Sequence, residues 1–506
     1  MFLVSLDTDA IKEFIYASRK LRQIRAGSYL LTRLDAALRQ MAEDHGLATI
    51  YLAGGSGLLR GEDEAQVDRF MREARRFIAR ETDGQASVTM VKEQATPAEC
   101  SGAGFRQVFD RLKEKLVLAK AQRQAPPRAD LAFPFLESCQ WCGEPASQMV
   151  RDPEGAHLPV CWLCACKDQL RAEMAEKDRE FLTEAEMPKA EFPRDFQDLV
   201  GKGEAGADLG FLYADGNNMG QLLLSLQTQE AFTQFSTTLE QAMRKAVCQA
   251  AEEVFPNYSG SHAPFVPLMC GGDDLILVAA ATQIFPLTMA IMRAFHDETK
   301  TGLGRDAGLT LSAGVVIAPP SYPIATVHEM AEQLVASAKK RTFQVTQGQD
   351  TPGFGGCLDF HLLYTGSAHS IADFRRQACT LRSEDGRTVL ARLVERPYTL
   401  AEFETAWRLA GGLAVLPARR RHELATALTV SREEAMATFM KQAARLKEDE
   451  KRRLLEIFEG TGGRCPPHRR PWRDPGGQAP WTTPLFDLLE LAELAAPAAP
   501  AAPPDR

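Results

Sequence analysis

Near its middle the chain reads Met269-Cys270-Gly271-Gly272-Asp273-Asp274-Leu275-Ile276, and this stretch decides the fold. Apolar residues flank a Gly-Gly pair, which is the pattern of two buried strands joined by a tight turn. Glycine suits such a turn because the backbone can approach a ligand there without side-chain obstruction. The stretch therefore predicts a β-hairpin that presents Asp273 and Asp274 at one edge of a sheet.

A second acidic landmark lies upstream of the hairpin. Asp215 ends the apolar run Phe211-Leu212-Tyr213-Ala214 and is followed by Gly216-Asn217-Asn218-Met219, where a helix is expected to begin. Downstream of the hairpin come a helical stretch over 285–300, a buried strand over 309–318 and a helix ending at Lys339-Lys340-Arg341. The order strand, helix, acidic hairpin, helix, strand, helix predicts a ferredoxin-like palm domain.

The same two landmarks occur earlier in the chain, which indicates a duplicated domain. The segment Leu3–Ile11, with Asp7 after an apolar run, resembles the segment around Asp215. The stretch Gly54-Gly55-Ser56-Gly57 aligns with Gly271-Gly272-Asp273-Asp274. In this alignment the first copy keeps Asp7 but has Ser56-Gly57 in place of the two hairpin acids. We therefore expect a degenerate first palm and one active site per chain.

Four cysteines between the two palms have the spacing of a structural zinc site. Cys139-Gln140-Trp141-Cys142 and Cys161-Trp162-Leu163-Cys164 form two C-x2-C motifs, which place four thiolates around one ion. Four cysteine ligands leave no open position for chemistry, so the predicted role is to stabilise the junction between the palms. The sequence leaves open whether Cys166 takes the place of Cys164.

These features predict an α+β fold with two ferredoxin-like palms, a zinc-knuckle insert between them and a helical C-terminal domain. The predicted boundaries are 1–125 for the degenerate palm, 131–170 for the insert, 171–204 for a helical linker, 205–365 for the catalytic palm, 370–490 for the C-terminal domain and 491–506 for a disordered Ala/Pro tail.

Composition narrows the class of protein. The hydrophobic fraction of 45% supports a large core, and the net charge of −8 argues against a chain that binds nucleic acid over its whole surface. The sequence has no apolar run long enough for a membrane span and no basic N-terminal region typical of a signal peptide. We therefore expect a cytoplasmic protein with reduced cysteines.

The three aspartates suit phosphoryl transfer with divalent metal. Hard cations such as Mg²⁺ prefer carboxylate oxygens, and two ions can hold a triphosphate while lowering the pKa of an attacking hydroxyl. Crowded carboxylates repel one another unless cations bind between them. Lys339 or Lys340 is a candidate to neutralise the triphosphate, and Asn218 either contacts a base or ribose or caps a helix.

The chain resembles the large polymerase-like subunit of type III CRISPR effector complexes. The resemblance rests on the motifs Asp215-Gly216-Asn217-Asn218-Met219 and Gly271-Gly272-Asp273-Asp274 and on the four-cysteine insert before them. The segment from Leu6 to Ser28 resembles that family's first palm. The likeness covers about 1–365 in order, and the C-terminal domain matches only by position. Many members begin with a His-Asp nuclease domain. This chain starts at the first palm, so no DNase activity is expected. Its own His296-Asp297 is expected to be a solvated pair on a helix of the second palm.

The resemblance implies conversion of ATP into cyclic oligoadenylate messengers once target RNA is bound. Asp215, Asp273 and Asp274 would be catalytic and hold two Mg²⁺ or Mn²⁺ ions. The candidate residues for binding the nucleotide are Gly216, Asn218, Gly271, Gly272, Ser312 and Lys340. The implied partners are ATP, CRISPR effector subunits, crRNA and target RNA.

Other functions compete with this interpretation. A GGDEF-like dinucleotide cyclase would carry Glu-Phe after the hairpin, where this chain has Asp274-Leu275. A catalytically silent scaffold subunit would have no need for buried, mutually repelling carboxylates. A template-directed polymerase fits least, because no fingers, thumb or basic channel is evident.

Overall fold

A computed structural model describes residues 1–9, 11–100, 104–122, 137–151, 155–200, 208–226, 228–347, 354–363, 370–383, 385–413, 416–448, 451–452, 472–473 and 480–495. Several parts of the predicted regions lie outside the described residues, among them 131–136 of the insert, 201–204 of the linker and 496–506 of the tail. Within the described part, no helix combines the length and apolar character needed to cross a membrane.

The first palm is built from strands β1 (Phe2–Asp9), β2 (Ala48–Ala53), β3 (Ser56–Gly61) and β4 (Ser87–Gln94) and from helices α1 (Ile11–Tyr16), α2 (Leu21–Asp44) and α3 (Glu64–Glu81). The strands form an antiparallel sheet in the order β2-β3-β1-β4, which is the ferredoxin-like order. Side chains alternate along β1, so Val4 and Leu6 pack against α2 and α3. The opposite face, with Leu3, packs against α5 (Gly104–Gln122), which follows the short helix α4 (Pro97–Cys100).

The insert is a small hairpin followed by helices. Strands β5 (Gln148–Arg151) and β6 (His157–Val160) pair antiparallel, and helices α6 (Trp162–Gln169), α7 (Arg171–Glu184) and α8 (Gln197–Val200) follow. The insert shares a hydrophobic core with α1 and α2 of the first palm, through residues such as Phe14, Ile24 and Trp141. A segment this small has its core completed by its neighbours.

The second palm repeats the plan of the first. It contains β7 (Leu209–Gly216), α9 (Met219–Ser225), α10 (Gln229–Val254), β8 (Phe265–Gly271), β9 (Asp274–Ala280), α11 (Ala281–Leu303), β10 (Leu311–Ala318) and α12 (Ile324–Thr346). Its strands β10-β7-β9-β8 have the same order and antiparallel pairing as the strands of the first palm. Strand β11 (Gly356–Leu362) extends the sheet parallel to β10.

The C-terminal region is largely helical, as predicted, but also contains short strands. It comprises α13 (Ile371–Ala378), β12 (Thr380–Arg382), β13 (Val389–Arg392), β14 (Tyr398–Thr399), α14 (Leu400–Gly412), α15 (Ala418–Val430), α16 (Arg432–Ala443), β15 (Trp481–Thr482) and α17 (Leu485–Ala495). Strand β14 joins the palm sheet at β11, and β12-β13-β15 form a separate sheet. Helix α17 reaches into the predicted disordered tail, because Leu491 and Ala492 are buried in the core.

The two palms contact each other at several places, and two of these contacts involve aromatic rings. Near the start of α10, Phe232 stacks on Tyr51 of β2, and the Thr233 hydroxyl donates to the Ile50 carbonyl at 2.7 Å. At the other place, Tyr16 of α1 packs on His328 of α12 with ring centroids 4.8 Å apart. The predicted fold of two ferredoxin-like palms around an insert is confirmed.

Candidate active site

The sheet register brings the acids of the second palm together. Asp215, at the end of β7, lies directly opposite Asp274 at the start of β9. Directly opposed residues project to the same face of a sheet, so these two side chains are neighbours. Asp273 occupies the turn between β8 and β9, and its carbonyl accepts a hydrogen bond from the Gly216 amide at 3.1 Å. The three predicted acids therefore share one sheet edge.

Two glycines permit this arrangement. Gly272 has φ +60°, a left-handed conformation that favours glycine, and it makes the turn that positions Asp273. At Gly216, an added Cβ would lie 2.8 Å from the Cβ of Asp273 and 2.4 Å from Met219. A side chain there would push the hairpin away from β7. A Cβ at Gly271 or Gly272 would meet open space, so the turn leaves room for a ligand.

Burial and mutual repulsion disfavour the charged form of the hairpin acids. Burial, then Asp215 and Asp273, raise the pKa of Asp274 to about 7. Burial and Asp215 also raise the pKa of Asp273. Cations bound between these carboxylates would reverse that effect, because they favour the ionised form. The electrostatics of the edge therefore suit a site for divalent metal.

Lys339 already supplies one positive charge to the site. Its Nζ lies 2.7 Å from Oδ2 of Asp215, reaching across from α12. The sequence left open whether Lys339 or Lys340 faces the acids, and Lys340 was the candidate for binding the nucleotide. In the structure Lys340 instead lines a separate cavity together with Arg341 and Arg375. Successive residues of a helix point in different directions, so the two lysines cannot face the acids together.

Tyr213 also contacts the acids, and we did not predict this. Its hydroxyl donates to Oδ1 of Asp274 at 3.2 Å. Its ring stacks on buried His328, with centroids 5.4 Å apart, and His328 in turn contacts Tyr16 of the first palm. Burial lowers the pKa of His328 to about 4, so this imidazole is neutral near pH 7. Strand alternation could have identified Tyr213, because residues two apart share a face.

A hydrogen-bond network fixes the turn after β7. The Asn217 side chain donates to the Thr310 hydroxyl at 2.9 Å and accepts from the Ser312 hydroxyl at 2.7 Å. Ser312 is fully buried, so it supports the site from behind rather than facing a nucleotide. Asn218 is exposed, with φ 59°, and precedes α9 without capping it through its side chain. That position beside Gly216 leaves its amide available to a ligand.

Two other sequence features lie away from the acids. Asp359 and His361 are on β11, which β10 separates from β7. Both are buried, and Asp359 pairs with Arg375 at 2.6 Å. His296 is buried within α11, which contradicts our expectation of a solvated His296-Asp297 pair, whereas Asp297 is exposed.

The first palm lacks the hairpin acids, but the sequence alignment was shifted by one residue. Ser56 lies opposite Asp7, as Asp274 lies opposite Asp215, so Ser56 corresponds to Asp274. Gly55 corresponds to Asp273. Lys120 of α5 lies 2.5 Å from Oδ2 of Asp7 and 3.6 Å from Asp9. One lysine thus lies beside both Asp7 and Asp9 in this palm.

The four predicted cysteines converge. The sulfur atoms of Cys139, Cys142, Cys161 and Cys164 all lie within 4.8 Å of one another. Tetrahedral zinc with Zn–S bonds of about 2.3 Å separates its sulfurs by about 3.8 Å, so the four thiols could hold this ion. Hydrogen bonds from Cys142 and Cys164 hold the pKa of Cys161 well below its usual value, while hydrogen bonding with Cys161 raises the pKa of Cys142, and hydrogen bonding with Cys142 and Cys161 raises the pKa of Cys164. The metal-free cluster therefore favours one thiolate, at Cys161.

Cys166 is not part of this cluster. Cys161 caps the N-terminus of α6 and accepts from the Cys164 amide at 3.4 Å, which places Cys164 on the first turn facing the other sulfurs. Two residues further along the helix, Cys166 points elsewhere. Nearby, buried Lys167 donates to the Phe14 carbonyl at 3.0 Å and so ties α6 to the first palm. The fourth cysteine of the cluster is therefore Cys164 and not Cys166.

Among the described residues, these four thiols are the one group of three or more potential metal ligands whose ligand atoms lie this close together. The three carboxylates of the second palm share its acidic edge with one ammonium group, that of Lys339. The donor set of three carboxylates still fits Mg²⁺ or Mn²⁺, which prefer oxygen ligands and retain several waters. Asp215, Asp273 and Asp274 are the residues that would hold such ions.

The fold and its acidic edge define a polymerase-like palm domain. Residues 208–344 match the family described as Cas10/Cmr2, second palm domain. This part of the chain is therefore similar to the second palm of Cas10/Cmr2 proteins. A comparison with curated protein sequences found no match.

Solved structures share the fold over nearly the whole chain. The Csm1–Csm4 cassette in complex with pppApA has a TM-score of 0.59 at 15% identity, covering 98% of this chain and 69% of that one. Csm1 in T. onnurineus has a TM-score of 0.55 at 16% identity, covering 98% and 69%. The Csm1–Csm4 subcomplex in the type III-A CRISPR-Csm interference complex has a TM-score of 0.57 at 16% identity, covering 98% and 70%. The match to a chain of the apo Csm1–Csm4 cassette covers 53% of that chain's length.

Proposed function

We propose that this chain is a metal-dependent nucleotidyltransferase that converts ATP into cyclic oligoadenylates in CRISPR-type antiviral defence. The observation that carries the proposal is the pairing of Asp215 with Asp274 across β7 and β9, with Asp273 in the adjoining turn. This edge belongs to a Cas10/Cmr2 second palm. Solved structures of the same fold contain pppApA and cA4, which supports adenylate chemistry at such a palm.

The chemistry is attack of a ribose 3′-hydroxyl on the α-phosphorus of ATP. A 3′–5′ phosphodiester forms, the bond to pyrophosphate breaks, and the hydroxyl proton passes to solvent. Two Mg²⁺ or Mn²⁺ ions, when bound, lower the pKa of that hydroxyl and stabilise charge on the phosphates. Asp215, Asp273 and Asp274 would hold these ions.

The remaining residues of the edge position the nucleotide. The open space at Gly271 and Gly272 admits the triphosphate, and Tyr213 orients the Asp274 carboxylate. Lys339 lies beside Asp215, and its ammonium is within reach of phosphate oxygens bound there. Asn218 is exposed at the mouth of the site and is placed to contact a base or ribose.

We further propose that the chain works with CRISPR effector subunits, crRNA and target RNA. The supporting observation is that structures of this fold include Csm1 bound to Csm4 within a type III-A interference complex. The test of the activity therefore uses both the purified chain and the chain assembled with its effector partners and target RNA.

The experiment is product analysis by mass spectrometry with each nucleoside triphosphate in Mg²⁺ and Mn²⁺. The control is the Asp273→Ala, Asp274→Ala double variant in the same assembly. Oligoadenylates that disappear in the double variant support the proposal. A cyclic dinucleotide made from GTP would replace it with the GGDEF-like function. Absence of any product from the RNA-loaded assembly would make the chain a silent scaffold.

A further inference from the structure

A groove rich in arginine lies outside the active site, between the first palm and the insert. Its volume is about 540 Å³, and it is bounded by α2, α7 and the segment 188–194. Six basic side chains line it: Arg22, Arg25, Arg171, Arg179, Lys189 and Arg194. We call this feature the arginine groove.

The arginine groove has more positive than negative charge. Asp168 contacts Arg22 at 3.0 Å and Arg171 at 2.9 Å, and Asp178 contacts Arg25 at 2.5 Å. Glu191 is the third carboxylate at the groove. Six cations against three carboxylates leave an excess of three positive charges.

Three of the cations have no acidic partner among the described residues: Arg179, Lys189 and Arg194. Arg22 is half-buried, and burial together with Arg171 and Arg194 lowers its pKa despite the nearby Asp168. Arg22 is thus held near two other guanidinium groups with part of its own solvent removed. Such a cluster is stabilised by an anionic ligand, because the ligand relieves the repulsion.

The walls of the groove are held in place by backbone hydrogen bonds and by a contact between Arg25 and an aromatic ring. The Glu191 amide donates to the Ser261 carbonyl at 2.9 Å, and the Ala263 amide donates to the Glu191 carbonyl at 2.9 Å, which pins the segment 188–194 to the second palm. The Arg25 guanidinium lies over the buried Phe192 ring at 4.6 Å. The groove therefore joins both palms to the insert.

We propose that the arginine groove binds phosphate groups, presented either by single-stranded RNA or by a free nucleotide. Five of its six cations are arginines, whose planar guanidinium groups match the oxygens of phosphate in pairs. The volume suits one or two nucleotide units rather than a folded domain. This binding is separate from the acids of the second palm and requires neither metal nor turnover.

The test compares two triple variants that remove the same charge. Arg179→Gln, Lys189→Gln, Arg194→Gln removes exposed cations of the groove. Arg72→Gln, Arg76→Gln, Lys300→Gln removes exposed cations elsewhere and serves as the control. Both are made in the full chain with Asp273→Ala, Asp274→Ala, so the active site contributes no metal-dependent binding and failure of the proposed function leaves the result unaffected.

Binding of a labelled 10-nucleotide single-stranded RNA is measured by fluorescence anisotropy between 50 and 200 mM salt without metal, and binding of AMP by calorimetry. We expect the groove variant to lose at least about tenfold in RNA affinity and about 2 in the slope of log affinity against log salt. The control variant should keep both. Loss confined to AMP would assign the groove to a free nucleotide.

Three outcomes would overturn the proposal. Equal losses in the two triple variants would show a general charge effect. Unchanged binding of both RNA and AMP in the groove variant would show that the groove is not a phosphate site. Competition by a polyglutamate peptide as strong as by RNA would assign the groove to an acidic protein segment. Thermal melting of both variants confirms that each is folded.

Discussion

Lys339 and Asp215 form an ion pair of 2.7 Å at the acidic edge of the second palm, and the degenerate first palm contains the corresponding pair. There Lys120 contacts Asp7, the residue that occupies the position of Asp215. In both palms the lysine comes from the helix packed beside β1 or β7 after the fourth strand. The difference is that the second palm adds Asp273 and Asp274, so more negative charge is left unbalanced beside its lysine.

This difference leads to a prediction about the contribution of Lys339 to the rate of nucleotidyl transfer. Lys339→Ala should leave Asp215 unpaired in the metal-free protein while removing a cation that assists the triphosphate. We expect nucleotidyl transfer to fall about 10- to 100-fold, which corresponds to roughly 1.4–2.7 kcal/mol of lost transition-state stabilisation. Initial rates of oligoadenylate formation measure the effect.

Lys340→Ala is the matched control, because it removes the same charge from the adjacent residue, which lines another cavity. It should keep the wild-type rate. If both variants lose activity equally, Lys339 does not act through Asp215.

The sequence predicted the two palms because their signals are local and repeated. An apolar strand that ends in an acid and a hairpin after a Gly-Gly pair depend only on neighbouring residues, and both recur in order at Asp7 and Asp215. The cysteine motifs could be recognised for the same reason, since their spacing alone specifies the ligands.

Other parts of the site depend on contacts between distant segments. The choice of Lys339 over Lys340 follows from how α12 lies on the sheet, which spacing alone does not give. The one-residue shift at Ser56 arises because the hairpin register, rather than the Gly-Gly pair, fixes which residue opposes Asp7. The Tyr16–His328 contact joins residues of different palms, so no local pattern could reveal it.

A second prediction concerns stability and pH. The pKa of Asp274 rises to about 7 in the folded protein, against about 3.9 for an unperturbed aspartate. Ionisation of Asp274 therefore opposes folding, and the protein loses stability as the pH rises from about 4 to about 7. Asp274→Asn should raise the melting temperature of the metal-free protein at pH 8, and this gain should disappear near pH 4.

Melting curves at several pH values in EDTA measure the gain, with Asp297→Asn at an exposed position of α11 as the control. Added Mn²⁺ should stabilise the wild type more than Asp274→Asn, because the ionised carboxylate is a metal ligand. An equal gain at pH 4 and pH 8 would contradict the assignment of a raised pKa to Asp274.

A third prediction isolates the hydroxyl of Tyr213. Tyr213→Phe removes the hydrogen bond to Asp274 and keeps the ring on His328. That hydrogen bond lowers the pKa of Asp274, so the variant should raise it further. The acidic limb of the pH–rate profile should move to higher pH, and kcat at pH 7 should fall about 3- to 10-fold with little change in KM.

Tyr29→Phe is the control, because its hydroxyl contacts Glu173 on the surface of the insert. Tyr213→Phe with an unchanged pH profile but a lower melting temperature would give Tyr213 a structural role only.

The last prediction concerns the cysteine cluster. The purified chain should contain one zinc ion, and Cys161→Ser should lose it, because Cys161 both ligates and holds Cys164 in place through the cap of α6. Zinc binding free energy becomes folding free energy, so loss of the ion should lower the melting temperature by many degrees. Elemental analysis and melting curves measure the two effects together. Cys166→Ser should retain zinc and melt as the wild type does, because Cys166 lies outside the cluster. A Cys166→Ser variant that loses zinc would show that the ligand set in solution differs from the four sulfurs that converge in this fold.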